Sequence, residues 1–275
     1  MAELPGAKIG EGAFAEVYGW APGQVIKLFR AGVSGRLIRH EARMTRAVFA
    51  AGAPAPEMLG EVVLEGRSGL ILSRLEGPTL MHLSRTGAMT PAETGAVLAT
   101  LALQLHRTPA PAALPSLRDW LAANFQGAGE RIPAPIAKGL LSLIDGLPAG
   151  DALCHSDLHP GNVIMTAQGP GLIDWFGAVR APAAHDLGLC EILLTEIVAD
   201  RVPDPERPRA VFAALKSDYA RLAGLSPEAL SAAAAPFLPM GCGLVLLAGV
   251  SPSEKARLIR RIEDALEARD GLAPD

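Results

Sequence analysis

Residues 154–162 read CHSDLHPGN, and IDWFG follows at 173–177. This crowding of His155, Asp157, His159 and Asn162, with Asp174 close behind, constrains the chain more than any other stretch. Two chemistries could use it. A transition-metal site would need His155, Asp157 and His159 on one face of a strand. A phosphoryl-transfer site would need a base and two oxygen ligands for magnesium. Pro160-Gly161 makes the stretch a loop, so strand alternation is not secured. The transition-metal reading also leaves Asn162 and Asp174 without roles. The spacing His-x-Asp-x-x-x-x-Asn is that of a phosphoryl-transfer catalytic loop. An Asp at a strand end is often only a turn former. For Asp174 that plainer reading weakens, because Asp157 and Asn162 precede it across one hairpin.

The remaining composition fits an enzyme of one or two domains. The 275 residues are 49% hydrophobic and 20% charged, enough for a sizeable core. A net charge of −4 without a Lys/Arg run argues against a nucleic-acid surface. Cys154, Cys190 and Cys242 are scattered and form no CxxC, which fits a reducing, cytoplasmic setting. The first residues, MAELPGAKIGEG, contain no apolar leader run. Residues 229–253 carry no charge and are long enough to span a bilayer, but Pro236, Pro239 and three glycines interrupt them. The expected form is a buried helix after a Pro-containing loop.

The first quarter reads as short strands, in KIGEG, AEVYGW and QVIKLF, with a hairpin around Glu65-Gly66. Between them, residues 34–51 have helical spacing, stopped by Gly52 and Pro54. After Gly77-Pro78 the pattern turns helical, near 91–106, 116–125 and 134–145. Two short strands follow near 163–165 and 171–173. Helices then fill 185–199, 206–222, 227–235, 241–249 and 252–268.

Three further features bear on chemistry. Gly10 and Gly12 sit between strand-like runs, where glycine admits φ > 0 and close approach of a phosphate. A ligand-free hairpin would look the same. Lys27 lies in an apolar strand of a chain with only five lysines. It is either an outward-facing residue or a point charge for phosphates held by a carboxylate. Glu41 is the candidate partner, since Leu37, Ile38, Met44 and Thr45 leave it no arginine at helical pairing distance.

With these motifs the chain resembles the aminoglycoside phosphotransferase and choline-kinase-like branch of the protein-kinase-like fold. HSDLHPGN is similar to that family's catalytic loop and IDWFGA to its metal-binding segment. LHRTP at 105–109, AHDLG at 184–188 and LILSRLEG at 70–77 resemble a shared helix end, a structural Asp motif and the inter-lobe hinge. The resemblance implies an α+β bilobal fold: an antiparallel-sheet N-lobe with one helix (1–76) and a larger, mainly helical C-lobe (77–275). It implies ATP and Mg2+ as cofactors and a small-molecule hydroxyl as acceptor. Asp157 would orient or deprotonate that hydroxyl, and Asn162 and Asp174 would bind magnesium. Lys27 would contact phosphates with Glu41 as partner, and Gly10 and Gly12 would cover them. Adenine would meet main chain near Ser73 and Leu75, beside Leu72. His155 and Asp186 would be structural supports. The third loop glycine of protein kinases is Ala15 here, an absence common in this branch. Glu191, Glu196, Asp200, Asp204 and Glu206 suggest an acidic pocket for an aminoglycoside antibiotic or an amino alcohol, or else a solvated acidic face. Macrolide, sugar and homoserine kinases, and a non-catalytic nucleotide binder, are the alternatives.

Overall fold

The structure is a computed structural model that describes residues 6–271; the first five residues of the stretch read for a leader lie outside them. Five strands open the chain: β1 Lys8–Glu11, β2 Ala15–Gly19, β3 Gln24–Phe29, β4 Met58–Leu64 and β5 Arg67–Ser73. They form one antiparallel sheet in the order β1-β2-β3-β5-β4, with Lys27 registered between Val17 and Leu70. The β4–β5 turn is Glu65-Gly66, with φ of +50° and +77°, the two-residue hairpin that suits strand twist.

Helix α1, Gly35–Ala50, joins β3 to β4, and its N-cap Ser34 accepts the Arg36 N–H. Its buried face is Ile38, Glu41, Ala42, Met44, Thr45 and Val48. Ile38 and Ala42 pack on the sheet with Ala15, Phe29, Met58 and Leu70. Met44 and Val48 instead enter the core of the helical part, with Leu80, Leu98 and Leu101. One helix therefore serves both cores.

After β5 the chain crosses over at Arg74–Pro78. Gly77 has φ +151°, and a Cβ there would lie 2.0 Å from the Met165 carbonyl oxygen. The helices that follow are α2 Leu80–Thr86, α3 Pro91–Arg107, α4 Leu117–Gln126 and α5 Ala134–Leu143. A reciprocal Thr90–Glu93 capping box starts α3. Strand β6, Ala152–Cys154, pairs with β9, Val179–Ala181, and β7, Val163–Thr166, pairs with β8, Gly169–Leu172. The chain ends in α6 Ala184–Glu191, α7 Glu206–Ala223, α8 Pro227–Ala234, α9 Leu238–Ala248 and α10 Pro252–Asp270. Gly95 lets α3 and α7 close together, since a Cβ there would meet that of Ala214 at 2.5 Å.

Two expectations change. The single helix over 185–199 is α6 followed by a π-helical segment, Ile192–Val198. No loop separates α8 from α9: Pro236 lies in one 3-10 turn and Pro239 in the first turn of α9, where a missing N–H costs little. Residues 227–248 are long and apolar enough to cross a membrane by composition, and just over half of their most apolar window is buried inside the protein.

Candidate active site

Two short strand pairs aim the polar residues. The β6–β9 pair fixes the start of the loop at 155–162, and the β7–β8 hairpin returns the chain to Asp174. Ser156 and Asp174 are non-glycine residues at φ +61° and +66°, each in the sparsely populated left-handed region. Surrounding contacts hold them there. The Asp186 carboxylate accepts the main-chain N–H of His155 at 2.8 Å and of Ser156 at 2.7 Å, and the His106 Nε2–H at 3.2 Å. His106 Nδ1 accepts the Tyr219 hydroxyl at 2.8 Å. His185 Nε2 bonds the Ser156 hydroxyl at 3.0 Å. Burial opposes ionisation of Asp186, but His106, His185 and the His155 N–H outweigh it and bring its pKa down to about 2.

Asn162 Nδ2 donates to the Asp157 carbonyl oxygen at 2.9 Å and to Asp157 Oδ2 at 3.0 Å. His159 Nδ1 accepts the Gly161 N–H, so its Nε2–H faces Asp157 Oδ1 at 3.7 Å. Desolvation opposes the Asp157 charge, but His159, His155 and Asn162 prevail and hold the carboxyl below its ordinary range. The Asp157 side chain is still 44% exposed, so it remains open to a ligand.

Lys27 Nζ lies 2.5 Å from Glu41 Oε1 and 3.2 Å from Asp174 Oδ1. Burial works against its charge, but Asp174 and Glu41 raise its pKa above the usual lysine value. Lys27 thus joins the sheet, α1 and the β8 end at one point.

The all-oxygen donor set suits magnesium. Asn162 spends its amide nitrogen on Asp157 and keeps Oδ1, while Asp174 spends Oδ1 on Lys27 and keeps Oδ2. The transition-metal reading fails on geometry. His155 is fully buried, donates Nε2–H to the Ile173 carbonyl at 3.0 Å and packs edge-on against Trp175. His106, Cys154 and Asp186 also lie close together, but the Asp186 oxygens already accept three N–H donors.

Gly10 lies in β1, paired with Val17, and Gly12 in the β1–β2 turn, and neither is at positive φ. A Cβ on Gly10 would lie 3.6 Å from that of Val17, and one on Gly12 3.9 Å from the Ala15 oxygen, both ordinary contacts. The fold itself does not demand glycine at either position. At the crossover, the Ser73 N–H is taken by the Glu57 carbonyl at 2.9 Å. Leu75 has no protein hydrogen-bond partner among the described residues, and it packs where a Cβ on Gly171 would come within 2.7 Å of it. Leu72 lies in β5, paired with Val25.

The acidic segment is mostly neutralised. Glu196 pairs with Arg257 at 2.8 Å and also with Arg261, and Asp200 pairs with Arg257 at 2.7 Å. Glu206 pairs with Arg209, and Asp204 accepts the Glu206 N–H. Glu191 makes no ion pair among the described residues, and burial raises its pKa. Sequence reasoning missed these arginines, together with His40, His106 and Tyr219. For His40 a signal existed: it adjoins Glu41 near the inward face of α1.

A five-stranded sheet with one helix, a helical second part, and the polar loop 155–162 followed by Asp174 define a protein-kinase-like phosphotransferase fold. Residues 17–225 match the phosphotransferase enzyme family, and the chain belongs to it. Among solved structures it is similar to a choline/ethanolamine kinase family protein from Mesorhizobium loti (TM-score 0.59, 18% identity, 98% of this chain and 87% of that one). It is similar to an aminoglycoside-3'-phosphotransferase of type VIII (TM-score 0.52, 21% identity, 84% and 91%). A third is an aminoglycoside phosphotransferase solved in ternary complex with streptomycin and ATP (TM-score 0.56, 14% identity, 94% and 90%). No curated protein sequence matches.

Proposed function

We propose that this protein transfers the γ-phosphoryl group of ATP, with Mg2+, to a hydroxyl of a small amino alcohol. The observation that carries the reading is a pair of contact groups, Lys27 with Glu41 and Asp174 at 2.5 and 3.2 Å and Asn162 with Asp157 at 3.0 Å, tied together by the Ile173 N–H on the Asn162 carbonyl oxygen at 2.9 Å. Asn162 Oδ1 and Asp174 Oδ2 would hold magnesium, which when bound neutralises phosphate charge. Lys27 binds the phosphates, oriented by Glu41. Gly10 near the end of β1 and Gly12 in the turn after it leave room for close approach, and the Leu75 main chain takes the adenine role that the engaged Ser73 N–H cannot. Residues 1–76 then act as the nucleotide-binding lobe.

Asp157 accepts a hydrogen bond from the acceptor hydroxyl and aims it at the phosphorus. A carboxylate held below its ordinary pKa is a weak base, which suits orientation more than early proton removal. The arginine-paired acids leave little free negative charge for a polycation, which supports an amino alcohol over an aminoglycoside. The streptomycin complex of a similar fold keeps the aminoglycoside as the second reading. The buried, unpaired cysteines suit the reducing cytoplasm, where ATP is available.

The test is mass-spectrometric detection of phosphorylated product from Mg-ATP with choline, ethanolamine, aminoglycosides, macrolides, homoserine and simple sugars. Asp157→Ala is expected to abolish product while ADP binding stays within about threefold, as for loss of a group that touches only the acceptor. Near-normal turnover in that variant would remove Asp157 from the chemistry.

A further inference from the structure

Asp174 occupies a left-handed conformation, which Asp enters more readily than most side chains but still at a cost. The carbonyls on either side of it are both restrained by histidines. His155 donates to the Ile173 carbonyl at 3.0 Å from the catalytic-loop side. His40 donates from α1 to the Phe176 carbonyl at 3.0 Å, with its ring edge-on to the Phe176 ring at 5.1 Å. Trp175 Nε1 closes the turn on the Leu172 carbonyl at 2.8 Å.

His40 is the only one of these three that belongs to the N-terminal part, and it immediately precedes Glu41. The contacts therefore form a closed ring. Glu41 meets Lys27, Lys27 meets Asp174, the chain runs from Asp174 to Phe176, and Phe176 returns to His40. The side-chain arm of the ring spends one Asp174 oxygen on Lys27. The main-chain arm, through His40, spends none, and so can fix the turn while leaving Asp174 Oδ2 for a cation.

We infer that His40 is a positioning residue that locks the Asp174 turn to α1, so that Asp174 and Lys27 are presented together to a magnesium-bound nucleotide. The inference rests on the phosphotransfer reading for its function. Its structural half can be tested without nucleotide.

Hydrogen exchange in the ligand-free protein reads the turn directly, through the Ala178 N–H that bonds the Trp175 carbonyl at 3.2 Å. His40→Ala is expected to speed exchange at residues 174–178 by about tenfold, the upper range for one hydrogen bond, and to leave the His155 and Ser156 amides unchanged. In calorimetric titrations, ADP with Mg2+ is expected to bind about tenfold more weakly to the variant, and ADP with EDTA within about twofold of wild type. His40→Gln offers an amide donor near the position of Nε2 and should restore both readings. Unchanged exchange at 174–178 in His40→Ala, or equal damage in His40→Gln, overturns the inference. A wild type that binds ADP neither with nor without Mg2+ would instead sink the phosphotransfer reading, and the exchange result would still decide what His40 does.

Discussion

At the scale of single residues, adjacent side chains on α6 grip the loop at 155–162, one charged and one neutral. Asp186 is ionised and takes three N–H donors, whereas His185 is neutral and fully buried, bonded to Ser156 and set among Trp120 and Phe237. Burial lowers the His185 pKa to about 4, against the pull of Asp186. An unfolded histidine takes its proton near 6.5. Between those values the unfolded chain binds the extra proton, so stability must fall as pH drops through that window. Asp186 acts lower: its contribution is complete above the ordinary value of 3.8 and is lost as pH falls toward about 2. Urea midpoints should therefore decline in two stages. His185→Gln should flatten the first stage by roughly 3 kcal/mol at most and leave the second steep. An unaltered first stage would assign that proton to another group, such as the buried His155.

At the scale of elements, the crossover between β5 and α2 is the tightest joint. Gly77 packs its backbone against β7, and the Pro78 carbonyl accepts the Met165 N–H at 2.9 Å. Any side chain at 77 meets both an unfavourable φ and a backbone oxygen that cannot move aside. Gly77→Ala should cost about 3 kcal/mol by chemical denaturation, whereas Gly12→Ala, with open space around it, should cost under about 1. Equal costs would mean that the crossover relaxes freely. The same contrast explains what was legible in the sequence. The strands β1–β5, α1, α3 and α10 announce themselves through alternation, helical spacing, Ser and Thr caps and prolines at first turns. The three-residue strands β6 and β9 are too short to show a period, and α2 has only seven residues. The spacing of Asp157 and Asn162 drew attention to their loop within one short segment, and the closeness of Lys27 to Glu41 and Asp174, expected from the resemblance, is what the structure shows. The arginines that neutralise the acidic segment were not, because Arg257 and Arg261 approach Glu196 from a helix some sixty residues on.

At the scale of the whole molecule, the question is whether the sheet and the helical part behave as one body. A boundary near residue 76 divides the chain on paper, and the nucleotide cleft proposed between the parts would invite independent motion. The hydrophobic core argues for strong coupling. Met44 and Val48 belong to α1, within the first 76 residues, yet both are fully buried among Leu80, Leu98, Leu101 and Leu105. Separating the parts would expose these side chains and also break the Lys27–Asp174 and His40–Phe176 contacts. Hydrophobic burial of this kind is not cheaply surrendered. Calorimetry should thus give a single unfolding transition in which sheet and helices melt together. Met44→Ala should lower stability by about 3 kcal/mol, within the usual range for a buried methionine. It should also widen or split the transition, because it removes the side chain that ties α1 to the helical core. Val25→Ala, confined to the sheet, should lower stability while leaving one sharp transition. Two transitions in the wild type would show that the shared core is too small to join the parts, and that α1 travels with the sheet alone.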